Sequence, residues 1–382
     1  MWNNSNRVRH VAKAALFLCI LHCNASQSEK FDQDEADRLS LSLTPQYQAT
    51  FRAKLSNTNY QAVFAGAQTL YEGGNLNIGR GRILWYAGRT ETTGGTTTNQ
   101  LSLRAGLGWP INDADAPNPE NHIDILAIQQ YLFEDSLQLV AGKLLISDSF
   151  LTSPYYGDDQ TTFTSSMISS DPNTNFAQVK GLGLYMRVDR NDWFIAGGIA
   201  DNQANIEFDI PSLSDGHFVY AIESGYRKKT DYGNENKVSV LAFYSDSNRD
   251  RSEESGIVAA FTTEMGNDES WAVFGRYGWY KPASRSTSNN SKWKGKNGGF
   301  FGVHTKAIFG IENLDVGAAI MAGIPSESVS NTFETTYGTE FYLRYTFAGW
   351  LTFSHSEQVV SSNERKFDIV SGFRLRLHHN FY

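Results

Sequence analysis

The sequence predicts an all-β fold, a transmembrane antiparallel β-barrel of about 16 strands. Three observations carry this prediction. Apolar and polar side chains alternate with a period of two through nearly the whole chain after residue 45, the pattern of half-buried antiparallel strands. The chain is aromatic-rich and charge-poor, at 13% and 19% of 382 residues, where a soluble domain carries roughly a quarter charged residues. It opens on what reads as an export signal, and no cysteine follows that signal.

Residues 1–25 read as a cleaved signal peptide. Arg7, Arg9 and Lys13 precede a short apolar run, 14–21, and small residues at Cys23 and Ala25 place the cut near Ala25/Ser26. A lipidated Cys23 is the competing reading, disfavoured by the bulky His22 before it. Cys19 and Cys23 would leave with the leader, so the mature chain is expected to fold without a disulfide. Loss of the three cations takes the formal net charge from −8 to −11, which makes nucleic acid a poor partner. The run 14–21 is far shorter than the roughly 20 apolar residues of a membrane helix, and mean hydropathy is −0.40. Residues 26–45 are expected to be a polar lead, helical or disordered, and 46–382 a single barrel domain.

The strands follow in order. In 46–55, Tyr47, Ala49, Phe51, Ala53 and Leu55 oppose Gln46, Gln48, Thr50, Arg52 and Lys54. In 101–109, Leu101, Leu103, Ala105, Leu107 and Trp109 oppose Ser102, Arg104 and small glycines. In 182–188 the apolar row opposes Tyr185 and Arg187; in 218–227 it opposes Glu223 and Arg227; in 271–280 it opposes Phe274 and Arg276. In 341–347, Phe341, Leu343, Tyr345 and Phe347 oppose Tyr342, Arg344 and Thr346. Turn signals stand between strands at 72–75, 92–99, 112–121, 231–236, 245–255, 284–299 and 361–366. Alternation alone does not separate a soluble sheet from a membrane barrel. The export signal, the strand count, the aromatics near strand ends and the aromatic terminal strand tip the balance. Closure is compulsory in lipid because an open edge leaves backbone groups unpaired, so the terminal strand is expected to pair with 46–55.

The segments 335–363 and 367–381 resemble the carbohydrate-selective porins of the glucose-porin type. Residues 129–150 resemble that family's strand pair leading into a constriction segment, and 182–204 the hairpin after it. The departures are Lys143, where the family pattern has arginine, and Ala348, Gly349, Ser354 and His355 in a stretch that usually carries prolines. The resemblance implies a sixteen-stranded pore for sugar diffusion in the outer membrane of Gram-negative bacteria. It also implies that 147–178 folds into the barrel and narrows it, with Asp148, Phe150, Tyr155, Tyr156, Asp158 and Asp159 near the narrowest point; without it, 147–178 reads as a long external loop.

Arginines, acids and tyrosines facing inward suit a neutral, hydroxyl-rich solute, because together they donate and accept hydrogen bonds. The inward rows offer Arg52, Arg104, Arg187, Glu223, Arg227 and Arg276, then Glu340, Tyr342, Arg344, Arg374 and Arg376. Arg80 and Arg82 join them if 75–88 is a strand, whereas a turn would leave them solvated. The expected partners are outer-membrane lipid, carbohydrate solutes and the barrel-assembly machinery, and a homotrimer is an allowed assembly. No cofactor or metal is expected: 113–121 lacks the central glycine and closing glutamate of a calcium loop, and the adjacent His378 and His379 point to opposite faces. No enzyme motif is present. The alternatives are a general small-solute porin, a plugged barrel acting as an adhesin or rim-site hydrolase, and a soluble secreted binding protein.

Overall fold

The computed structural model describes residues 38–54, 60–93, 120–157, 162–169, 180–203, 210–230, 234–247, 253–266, 270–281, 295–325, 335–362 and 365–381. Sixteen strands close into one antiparallel barrel, each paired with its neighbours in sequence and the first with the last. The first eight are β1 (Arg38–Lys54), β2 (Tyr60–Ile78), β3 (Gly81–Thr93), β4 (Glu120–Leu132), β5 (Leu137–Leu145), β6 (Lys180–Arg190), β7 (Trp193–Asp201) and β8 (Phe218–Lys229). The second eight are β9 (Glu235–Ser245), β10 (Glu254–Met265), β11 (Trp271–Lys281), β12 (Gly295–Thr305), β13 (Leu314–Pro325), β14 (Thr336–Thr346), β15 (Leu351–Ser362) and β16 (Arg365–Phe381).

The period-two pattern sorts side chains onto two faces, as a strand's geometry requires. The outward row of β11 holds Trp271, Tyr277 and Trp279, each 40% exposed or more, while the inward row holds Ala272, Phe274 and Arg276 at 4% or less. The terminal strand sorts the same way. Phe373, Leu375, Leu377 and Phe381 face out, and Arg374 is 3% exposed. Closure pairs Leu39 with Phe381 and continues to Thr50 opposite Val370.

The two rims differ. On one, the connections between strands run no longer than the stretch 306–313; on the other lie the long connections, among them 146–179 between β5 and β6. Two expectations fail here. Residues 38–45, expected in the polar lead, belong to β1. Residues 72–75, expected to turn, lie inside β2. Gly73 is there for room: a Cβ would stand 2.8 Å from Tyr86 Cδ2 on the neighbouring strand. The turn falls instead at Gly79 and Arg80, where Gly79 takes φ +63°, a conformation that glycine adopts without strain. The leader, its cut and Arg104 lie outside the described residues.

Candidate functional site

The connection after β5 turns into the barrel. A 3-10 turn, Ile146–Ser149, leads into Phe150–Gly157, and the chain returns at Thr162 to a helical turn, α1 (Ser166–Ser169). Asp158 and Asp159 lie outside the described residues. Three sets of contacts fix the segment to the inner wall.

The first set sits on β6–β9. Phe150 meets Tyr185 edge-on at 5.3 Å. Gly198 makes this approach possible, since a Cβ there would stand 2.9 Å from Ile146 Cδ1 and 3.1 Å from Phe150 Cζ. The Leu151 N–H donates to Glu223 Oε2 at 3.0 Å, and Lys237 Nζ donates to the Thr152 carbonyl at 3.0 Å. Lys237 and Glu223 are 4.0 Å apart, so the buried acid and the buried base share one stretch of the segment.

The second set sits on β10–β12. The Tyr155 hydroxyl donates to Glu264 Oε1 at 2.8 Å, and its ring stacks on Phe274 at 5.8 Å and 9°. The Arg276 guanidinium lies 4.7 Å from the centre of the Tyr156 ring, a cation–π distance. Burial pushes the Tyr156 phenol above its ordinary range, so it stays neutral.

The third set sits on β14–β16 and is the most polar. Glu340 accepts from Thr164 N at 2.7 Å, Thr164 Oγ1 at 2.9 Å and Ser165 N at 2.9 Å. Gln358 Nε2 donates to Thr164 Oγ1 at 2.9 Å. Arg374 Nη2 donates to the Thr162 carbonyl at 2.7 Å. Phe163 packs edge-on against Tyr342 at 4.7 Å, and the Tyr342 ring lies flat over Gly317, where any Cβ would collide with it.

These contacts change the reading of the inward row. Glu223, Arg276, Glu340, Tyr342 and Arg374 do face inward, yet each is at most 4% exposed because the segment covers it. They hold the segment. Phe150, expected at the narrowest point, is 3% exposed and is a packing anchor. Asp148 is exposed where the segment begins.

The inward charges nearer the short-turn rim are more open. Arg187 makes two 2.8 Å bonds to Asp189 and lies 4.1 Å from the Phe194 ring centre. Arg227 reaches Asp189 at 3.5 Å and Glu235 at 4.0 Å. Arg344 donates to Asp315 at 3.0 Å. The side chains of Arg187, Arg227 and Arg344 are 14%, 30% and 20% exposed. Arg82 and Arg376 are half-buried on inward rows, Arg82 in register with the buried Gln129. The backbone of Arg52 lies in β1, and its side chain falls outside the described part of the structure.

Arg80 is corrected. It sits in the β2–β3 turn with its side chain 50% exposed and pairs with Asp135 at 2.8 Å. The turn places it on the rim, tied to the neighbouring β4–β5 turn, and Arg82 alone of the two stands on a strand. Sequence reasoning missed Lys237, Glu264, Gln358, Asp189 and Asp315. Glu264 was open to it, since Val258, Ala260, Thr262 and Glu264 form one buried row of β10. The Asp315–Arg344 pair required the β13–β14 register, in which the two residues are direct partners.

No protein-family description matches the chain, and no curated protein matches it. Solved structures do. OprB of Pseudomonas putida, in its high-pH structure, superposes with a TM-score of 0.75 at 13% identity, over 91% of this chain and 95% of that one. The low-pH structure of the same protein gives 0.57 at 12%, over 93% and 100%. OccK11 (OpdR) of Pseudomonas aeruginosa gives 0.51 at 12%, over 94% and 100%. At such identities the likeness speaks to architecture alone. The chain has the barrel fold of the bacterial outer-membrane porins.

Proposed function

We propose that this protein is an outer-membrane pore for passive diffusion of small carbohydrates. One observation carries the reading: a segment pinned across the inner wall by buried acids leaves an accessible inward surface whose charges come paired. Arg187, Arg227 and Arg344 each have a carboxylate within 4.0 Å. Paired charges offer many donors and acceptors while cancelling much of the field that would favour ions over neutral solutes. A sugar exchanges its water shell for these groups one hydroxyl at a time. Arg82, Arg187, Arg227, Arg344 and Arg376 are the proposed solute-facing cations, and the buried residues under the segment set the width of the passage.

The proposal includes export through the leader 1–25, insertion by the barrel-assembly machinery and residence in lipid as a monomer or homotrimer. No catalytic step is proposed. Purified protein in planar bilayers should conduct, and liposomes containing it should swell faster in sugars than in amino acids of similar size. Absence of conductance overturns the pore. Equal swelling in all solutes overturns the carbohydrate preference and leaves a general small-solute pore.

A further inference from the structure

Polar groups on the outward wall gather on one side of the barrel. Among the described residues no carboxylate stands on the outward rows of β8–β14, whereas Glu357 does on β15, Glu72 on β2 and Glu91 on β3. Register fixes their direction: Glu357 pairs with the exposed Phe341, and Arg89, in the row of Glu91, pairs with the exposed Leu70. Two clusters result. In the first, on β15 and β16, the Ser371 hydroxyl donates to Glu357 Oε1, and His355 Nε2 stands 3.0 Å from the same oxygen. Among the described residues nothing donates to Glu357 Oε2. In the second, on β2 and β3, Gln68 Nε2 donates to Glu91 Oε2 at 3.4 Å. Arg89 Nη2 lies 3.7 Å from that oxygen, beyond hydrogen-bond reach, so its guanidinium has donors to spare. The Glu357 and Arg89 side chains are 38% and 48% exposed.

Hydrocarbon offers neither group a bond, and an ionisable side chain left in it is costly. A lipid phosphate on Arg89 would meet the carboxylates of Glu72 and Glu91 on the same two strands. A second copy of the chain supplies the missing partner for both groups, because every copy sits at the same depth. Glu357 is the seventh residue of β15 and Arg89 the ninth of β3, and both strands start at the short-turn rim. Two residues of a tilted strand rise about 5 Å, a gap that an arginine side chain spans. The angle between the clusters sets the number of copies. Their centres lie three strand positions apart out of sixteen, about 68° around the barrel. Contacts with the two neighbours in a ring stand about 60° apart for three members and about 90° for four, and they coincide for two. Between the clusters stand β16, β1 and β2, which are 17, 17 and 19 residues long against 9–13 for every other strand. In a ring of three this taller wall lines the centre.

We propose that three copies of this chain close into a ring, with Arg89 of one copy donating to Glu357 Oε2 of the next. The proposal rests on the membrane placement of the barrel and not on the solute that passes through it, and it selects the trimer over the monomer.

The test is native mass spectrometry of the purified barrel in mild detergent. The native chain should register at three times the mass of one chain. Arg89→Glu and Glu357→Arg should each lose the three-chain species. The two together restore opposite charges across the contact and should regain it. Arg89→Cys with Glu357→Cys should cross-link under oxidation into three joined chains that reduction separates, and either cysteine alone should not. Heat-modifiable gel migration of every variant separates a lost contact from a lost barrel. A one-chain or two-chain native mass overturns the proposal, and so does a three-chain mass that survives both charge reversals. Conductance of the same preparations is read separately. One-chain barrels that conduct overturn the ring alone, and three-chain barrels that do not conduct remove the pore reading alone.

Discussion

Glu340→Ala is the sharpest perturbation available, because a single carboxylate receives three donors from the tip of the infolded segment. Two of those donors are backbone N–H groups, of Thr164 and Ser165, and both residues are at most 4% exposed. A buried donor left without an acceptor costs about 1–3 kcal/mol, so the pair loses about 2–6 kcal/mol. Removing a carboxylate that is itself costly to bury offsets part of this, and the lower half of the range is the expected net. A change of about 2 kcal/mol is roughly a thirtyfold shift in the equilibrium between the seated and released segment. Hydrogen exchange read by mass spectrometry should show the amides of 162–169 exchanging at least about thirtyfold faster, with the strand amides unchanged. Single-channel records should become larger or noisier. Glu340→Gln should show an intermediate effect, since its amide oxygen still accepts but its NH2 faces donors. Unchanged exchange in 162–169 together with unchanged conductance would refute the claim that Glu340 pins the segment.

Other outcomes follow from the same geometry. Gly317→Ala drives a methyl into the Tyr342 ring and should destabilise the barrel by about 1–3 kcal/mol, the cost of overpacking, read by urea unfolding in detergent. Arg80→Ala removes an exposed pair with Asp135 and should change stability by no more than about 1 kcal/mol, with conductance unaltered; altered ion selectivity would return Arg80 to the lumen. Asp315→Asn removes the carboxylate beside the accessible Arg344 and should move the reversal potential in a salt gradient toward anion preference. On the proposed membrane placement, Ile320→Arg puts a charge on the outward face, where Ile320 is 60% exposed, and should cost about 2–4 kcal/mol near the bilayer midplane, read by unfolding from lipid vesicles.

The barrel was legible because its physics repeats. Each strand must turn one row outward, and rows such as Phe341, Leu343, Tyr345 and Phe347 announce it every second residue. Parity also placed Glu340, Tyr342 and Arg374 on the inner face. It did not reveal what covers them. The cover comes from 146–157 and 162–169, whose contacts with Glu340 span about 175 residues of sequence, and local spacing holds no trace of such a meeting. Glycine misled at 72–75 for a different reason. It marks either a turn or a crowded neighbour, and only the Gly73–Tyr86 register decides between them.

The pairing of β1 with β16 has a consequence for how the molecule comes together. Leu39 and Phe381 are register partners, so the last seam joins stretches that are far apart in sequence, and all other strand pairs join neighbours. A sheet can therefore zip up sequentially as a curling ribbon, with two open margins until the final seam forms. Those margins define the dangerous intermediate: it is nearly complete in hydrogen bonds, yet able to add a strand from another chain. The same adjacency makes the chain a natural ring. A short linker from Phe381 to Arg38, with new ends cut in the connection 282–294, should rebuild the same barrel with its slowest seam moved to β11 and β12.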